Sequence, residues 1–142
     1  MVNGRNVITN GQFTDRVADL CLGMANKPLI GWHRHDGDNQ KFNIESVHGS
    51  ETEVKMSLKT NGHTAYVTSV SPSPGSALIG ADASVASVYT IHKEDSGLFK
   101  ISIKAADGSV LYWTLTDGNE ATIISLQPAS NEGKQTWGLG SA

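Results

Sequence analysis

One pattern occurs three times along this chain, and that repetition limits its possible folds more than any other feature. Phe42-Asn43-Ile44, Tyr89-Thr90-Ile91 and Trp137-Gly138-Leu139 each order an aromatic, a small or polar residue and an aliphatic, 47 and then 48 residues apart. Upstream of each lies a second apolar cluster at the same spacings: Val17-Ala18-Asp19-Leu20, Thr64-Ala65-Tyr66-Val67 and Tyr112-Trp113-Thr114-Leu115. The 142 residues thus read as three units, about 1–48, 49–95 and 96–142, inside a single domain.

Within each unit the periodicity is that of strands. Phe99-Lys100-Ile101-Ser102-Ile103-Lys104 and Val54-Lys55-Met56-Ser57-Leu58 alternate apolar and polar residues, as half-buried strands do. Asn10-Gly11, Asn61-Gly62 and Asp107-Gly108 are dipeptides that accept positive φ in tight hairpins, and Asp36-Gly37, Pro74-Gly75 and Asp117-Gly118 add further turns. About four strands per unit, twelve in all, follow. Three four-stranded units bury their faces and edges together by closing around a pseudo-threefold axis, so the expected fold is all-β, a β-trefoil. A helix capped by Thr14, with Val17, Leu20, Cys21 and Met24 on one face, competes locally. Gly23 and Lys27-Pro28 would stop it early, and it would break the repeat.

Composition removes several function classes. Net charge is −3, with basic residues dispersed, so neither nucleic acid nor a membrane surface is an expected partner. The opening MVNGRNVITNGQF lacks the basic start and apolar core of a signal peptide, and Cys21 is the sole cysteine. With no Asn-x-Ser/Thr acceptor either, a cytoplasmic location is expected.

The stretch 29–42, Leu-Ile-Gly-Trp-His-Arg-His-Asp-Gly-Asp-Asn-Gln-Lys-Phe, resembles the signature of the fungal ricin-B-like lectins: an apolar-Gly-Trp start, a His/Gly-rich turn, then Asn-Gln-x-aromatic. Gln135-Thr136-Trp137 repeats the Gln-x-Trp form, whereas the second unit has Ser87-Val88-Tyr89. The resemblance implies a non-enzymatic carbohydrate-binding protein. Its partners would be glycans carrying galactose, lactose, N-acetyllactosamine or N-acetylgalactosamine, its role defence against animals that feed on the fungus, and cofactors none. It also implies a sugar site at Asp19, Trp32 and Asn39, with His35 as an added contact. A galactose-type sugar needs an aromatic face for its C–H patch and a fixed carboxylate and amide for its hydroxyls. An ionised acid bonds hydroxyls more strongly than a neutral acceptor does.

Each of these residues has a structural alternative. Asp19 could close a turn through backbone N–H groups, and Trp32 could be a core residue, although Gly31 and His33-Arg34-His35 around it favour the surface. Gln40 and Gln135 read as core support, their amides satisfying buried backbone groups. Shifted by the repeat spacing, Asp19 falls on Tyr66 and Thr114, Trp32 on Ile79 and Gln127, and Asn39 on Ala86 and Lys134. Neither later unit pairs an acid with an aromatic, so one working site is expected, in the first.

Other chemistry is less supported by the residues. His33, His35, Asp36 and Asp38 lack the second cluster that a metal centre needs, and Cys21 between two leucines reads as a small buried filler. Asp19 with Asp36 as a glycosidase pair would need a deep cleft and one raised pKa, which nothing in the sequence signals. The rival function is a β-trefoil protease inhibitor acting through loop 69–76, where Pro72 and Pro74 stiffen the chain. A single shallow sugar site gains avidity from multiple copies, so a homodimer is expected.

Overall fold

A computed structural model describes residues 4–142; the first three residues of the opening segment read above for a leader lie outside it. The described residues form twelve strands. The first repeat contributes β1 (Gly4–Asn10), β2 (Arg16–Leu20), β3 (Leu29–His33) and β4 (Phe42–Ser46). The second contributes β5 (Glu53–Thr60), β6 (His63–Thr68), β7 (Ile79–Ala81) and β8 (Tyr89–Lys93), and the third β9 (Phe99–Lys104), β10 (Val110–Thr114), β11 (Ser125–Pro128) and β12 (Trp137–Ser141).

Antiparallel pairing runs β1–β4–β5–β8–β9–β12 and back to β1, closing a six-stranded barrel. The remaining strands form three hairpins, β2–β3, β6–β7 and β10–β11, joined by bridges at Pro28–Ile79, Ile30–Ile123 and Ala77–Ser125. Barrel plus triangular hairpin cap is the expected β-trefoil. Closure leaves no barrel edge unpaired.

The core explains the spacing of the aromatics. Phe42, Tyr89 and Trp137 each open the fourth strand of a repeat and are fully buried at the barrel's centre. Trp113 joins them, its ring meeting Tyr89 and Trp137 edge-on at 5.3 and 6.2 Å, and its carbonyl accepts from Trp137 Nε1. Register places Trp113 where the other repeats have Ala18 and Val67, and its cross-strand partner Leu126 where they have Gly31 and Gly80. One large pair in the third repeat thus stands at the position of two small pairs in the others. A Cβ on Gly31 would come within 2.9 Å of Leu115 Cδ1, and one on Gly80 within 2.7 Å of Met24 O.

Three local expectations are corrected. Of the three tight-hairpin signals only Asn61-Gly62 makes a two-residue turn, with φ of +49° and +81° between Thr60 and His63. Asn10 instead starts a longer connection, its Oδ1 accepting from Gln12 and Phe13 N–H while Nδ2 donates to Lys134 O. At Asp107-Gly108 only the glycine has positive φ, within a connection spanning 105–109. The strand reading holds over the helix that competed with it, since Val17 to Leu20 lie on β2, but Cys21, read as a buried filler, is half-buried in the 3-10 turn Cys21–Gly23.

Candidate functional site

The β2–β3 hairpin brings the sequence-derived residues to one face. Register pairs Val17 with Trp32 and Asp19 with Ile30. Alternation therefore puts these four side chains on one side, while Ala18 and Leu20 enter the core from the other. Asp19 and Trp32 are diagonal neighbours across the strands. The indole is half-buried and not sealed inside.

Asp19 is only 3 % exposed, and what surrounds it is amide and imidazole. Its Oδ1 accepts from Asn39 Nδ2 and its Oδ2 from Gln40 Nε2, both at 2.9 Å. His35 Nε2 stands 3.5 Å from Oδ2. The ring's Nδ1 accepts from Gly37 N–H at 3.0 Å, which leaves the proton of a neutral imidazole on Nε2, facing the carboxylate. The recorded partners of Asp19 are side chains, so it is not the turn-former weighed above. Burial pushes its pKa above the ordinary 3.8, against the Gln40 hydrogen bond and the His35 ring, which pull it down.

Comparison between repeats shows that this acid is not required by the fold. Gln40 Nε2 donates to His33 O at 2.8 Å, and its Oε1 accepts from His35 N–H at 2.9 Å. Gln135 makes the same set with Pro128 O at 2.7 Å and Ser130 N–H at 2.8 Å, but where Gln40 meets Asp19, Gln135 meets the Thr114 hydroxyl at 3.1 Å. Both glutamines thus satisfy backbone groups, as expected, and Gln40 also orients the acid. In the second repeat Ser87 Oγ accepts from Ser69 N–H, and Ser69 bonds the Tyr89 hydroxyl.

The strand register also corrects the equivalences drawn from spacing. Tyr66 pairs with Ser57 and Ala81 as Tyr112 pairs with Ser102 and Gln127, and as Val17 pairs with Thr9 and Trp32. Asp19 therefore corresponds to Thr68, not Tyr66, and Trp32 to Ala81, not Ile79. A uniform shift fails because 23 residues separate Tyr66 from Tyr89, where 25 separate Val17 from Phe42. With Thr68/Ala81 and Thr114/Gln127, neither later repeat carries an acid beside an aromatic.

The other loop residues are engaged elsewhere. Arg34 Nε donates to Asp36 at 2.8 Å, Arg5 pairs with Asp38 at 3.4 Å, and His33 meets Glu120 of the third repeat at 2.9 Å. Glu120 carries no signal in the sequence, since 87 residues separate it from its partner. A cleft of about 650 Å³ that includes Arg5, Lys41, Lys59 and Tyr66 borders Asp38 but contains neither Asp19 nor Trp32. The hairpin face lies outside it, with Val17, Asp19 and Ile30 buried and Trp32 half-buried. Loop 69–76 is laced to the third repeat: Gly75 N–H donates to Leu126 O and Ser76 O accepts from Leu126 N–H, with Val70 left 75 % exposed.

Solved structures share this architecture along the whole chain. The agglutinin of Rhizoctonia solani superposes with a TM-score of 0.81 at 22 % identity, covering 100 % of this chain and 97 % of its own. A Macrolepiota procera ricin B-like lectin, solved in complex with lactose, gives 0.78 at 21 % identity, covering 100 % and 99 %. ThreeFoil, a designed threefold-symmetric protein, gives 0.80 at 15 % identity, covering 99 % and 100 %. The chain has the fold of the fungal ricin-B-like lectins. No protein-family model and no curated protein matches it. Fold alone hosts many activities, so function is argued from the site.

Proposed function

We propose that this protein is a non-enzymatic lectin that binds terminal galactose or N-acetylgalactosamine through one site in its first repeat. Asp19, Asn39 and His35 bond adjacent sugar hydroxyls, and Trp32 supports the apolar sugar face. The observation that carries this reading is a buried carboxylate held ready by two amides where both other repeats have threonine. Burying a charge costs stability, and the fold manages without one at Thr68 and Thr114. Among the described residues Asn39 Oδ1 has no protein partner, which leaves an acceptor beside the acid for a second hydroxyl. The lactose complex of the Macrolepiota procera protein, on the same fold, supports a β-galactoside as ligand. Defence against animals that feed on the organism producing it is the biological role we attach to that ligand.

The test is chromatography on immobilised galactose. The protein should be retained and released by free lactose, with N-acetylgalactosamine as a second eluant. Passage through the column, with inhibition of a protease instead, would transfer the function to loop 69–76. A single site binds a monovalent sugar weakly, so we also propose a homodimer as the source of avidity. Light scattering should then return a mass of twice the 15.1 kDa chain, and the monomer mass would refute it.

A further inference from the structure

The surroundings of Trp32 are built by the third repeat as well as the first. Glu120, in the connection between β10 and β11, reaches the end of β3 with both carboxylate oxygens. Oε2 accepts from His33 N–H at 3.2 Å, and Oε1 stands 2.9 Å from His33 Nδ1. Arg16, opposite His33 in register, lies 3.7 Å from the same carboxylate and donates through Nε to Gly118 O at 2.8 Å. The connection is itself fixed. Asp117 accepts from Asn119 N–H and from the Thr122 hydroxyl, while Thr122 O and Ala121 N–H bond the two backbone groups of Gly31 at 2.8 and 2.9 Å.

His33 is the middle of a row of three rings. Its centroid lies 5.3 Å from that of Trp32, tilted by 33°, and 6.0 Å from that of His35, edge-on. His35 in turn faces Asp19. A group that holds both the backbone and the ring of His33 thereby limits the orientations open to the indole beside it.

We propose that Glu120 is a positioning residue for the first-repeat site, setting the angle of the Trp32 ring through its two-point grip on His33. The inference rests on the lectin reading for the ligand, but the grip itself is independent of it. An exposed ion pair contributes little to stability, so the effect of Glu120 lies in pre-organisation: a sugar platform already in place binds without ordering cost. The third repeat, which lacks an acid and an aromatic of its own at matching places, thus serves the first.

Two variants and two measurements test this. In Glu120→Gln the side chain keeps its shape, with Oε1 accepting from His33 N–H and Nε2 donating to the ring in its other tautomer; Glu120→Ala removes both contacts. Lactose affinity is read by calorimetry, and acrylamide quenching of tryptophan emission is read without sugar. Trp113 and Trp137 are fully buried, so the quenchable emission is that of Trp32. The alanine variant should bind lactose about tenfold more weakly and quench more readily, with its Tm little changed, and the glutamine variant should restore both readouts. A merely structural role would lower Tm and leave quenching and affinity of the folded protein unaltered. Wild-type behaviour of Glu120→Ala in both measurements overturns the proposal, as does a Glu120→Gln variant no better than alanine. If the wild-type protein fails to bind lactose, the lectin reading falls and the quenching comparison still decides the grip.

Discussion

Replacing Asp19 by threonine is expected to abolish retention on immobilised galactose while leaving the protein folded and no less stable at pH 7. The substitution installs what the other repeats carry at this position, and Gln40 can then meet a hydroxyl as Gln135 meets Thr114. Two hydrogen bonds from sugar hydroxyls to a charged acceptor, each about 1.5–3 kcal/mol, are lost. That corresponds to an affinity at least about a hundredfold weaker. Unchanged retention would move the site off this hairpin.

The same residue makes a prediction about pH. Burial raises the pKa of Asp19 in the folded protein above its unfolded value of 3.8. The folded state therefore holds this proton more tightly than the unfolded chain does. The corresponding stabilisation is present below 3.8 and is lost as pH rises through the folded value. Relative to Asp19→Thr, the wild-type protein should be least favoured near neutrality, and the Tm gap should narrow in acid. Sugar binding runs the opposite way, since it needs the ionised form and fades as pH falls through the raised pKa. A Tm gap that widens in acid would contradict this account of the site.

The largest loss of stability is expected from Trp113→Ala. Trp113 is fully buried, touches Tyr89 and Trp137 edge-on, and stands where the other repeats have the smaller Ala18 and Val67. Removing the indole leaves a cavity that surrounding strands cannot close, at a cost of about 3–5 kcal/mol. That is a large share of the roughly 5–15 kcal/mol typical of a domain. Trp113→Phe should cost less than half as much. It retains an aromatic edge for both neighbours and removes the indole N–H, a buried donor with no partner among the described residues. Urea denaturation of the two variants checks both magnitudes. Equal losses would mean that the aromatic edge kept by phenylalanine contributes nothing and that contacts made only by the full indole set the cost.

Much of the fold was legible because its signals are local. Alternation in 99–104 and the recurring aromatics of Phe42, Tyr89 and Trp137 reflect side chains that must alternate across a pleat and meet on one axis. The acid and indole of the first repeat were also legible, since Asp19 and Trp32 stand on consecutive strands of one hairpin. Turn geometry was less so. Asn10-Gly11 and Asn61-Gly62 share a dipeptide, yet the first adds a longer loop because Asn10 spends its side chain on Gln12, Phe13 and Lys134. The equivalences in the second repeat slipped by two residues because loop lengths differ before and after its hairpin. Only pairing reveals that.

The order of residues by itself determined a threefold all-β body with one acid-and-indole hairpin, because strand periodicity and short-range spacing are written along the chain. Tertiary structure alone decided how that hairpin is completed. It buried Asp19 between the amides of Asn39 and Gln40, and it brought Glu120 across 87 residues to grip His33. The physical reason is closure: when three repeats share one axis, loops distant in sequence become neighbours, and the contacts between them depend on register that no single repeat encodes.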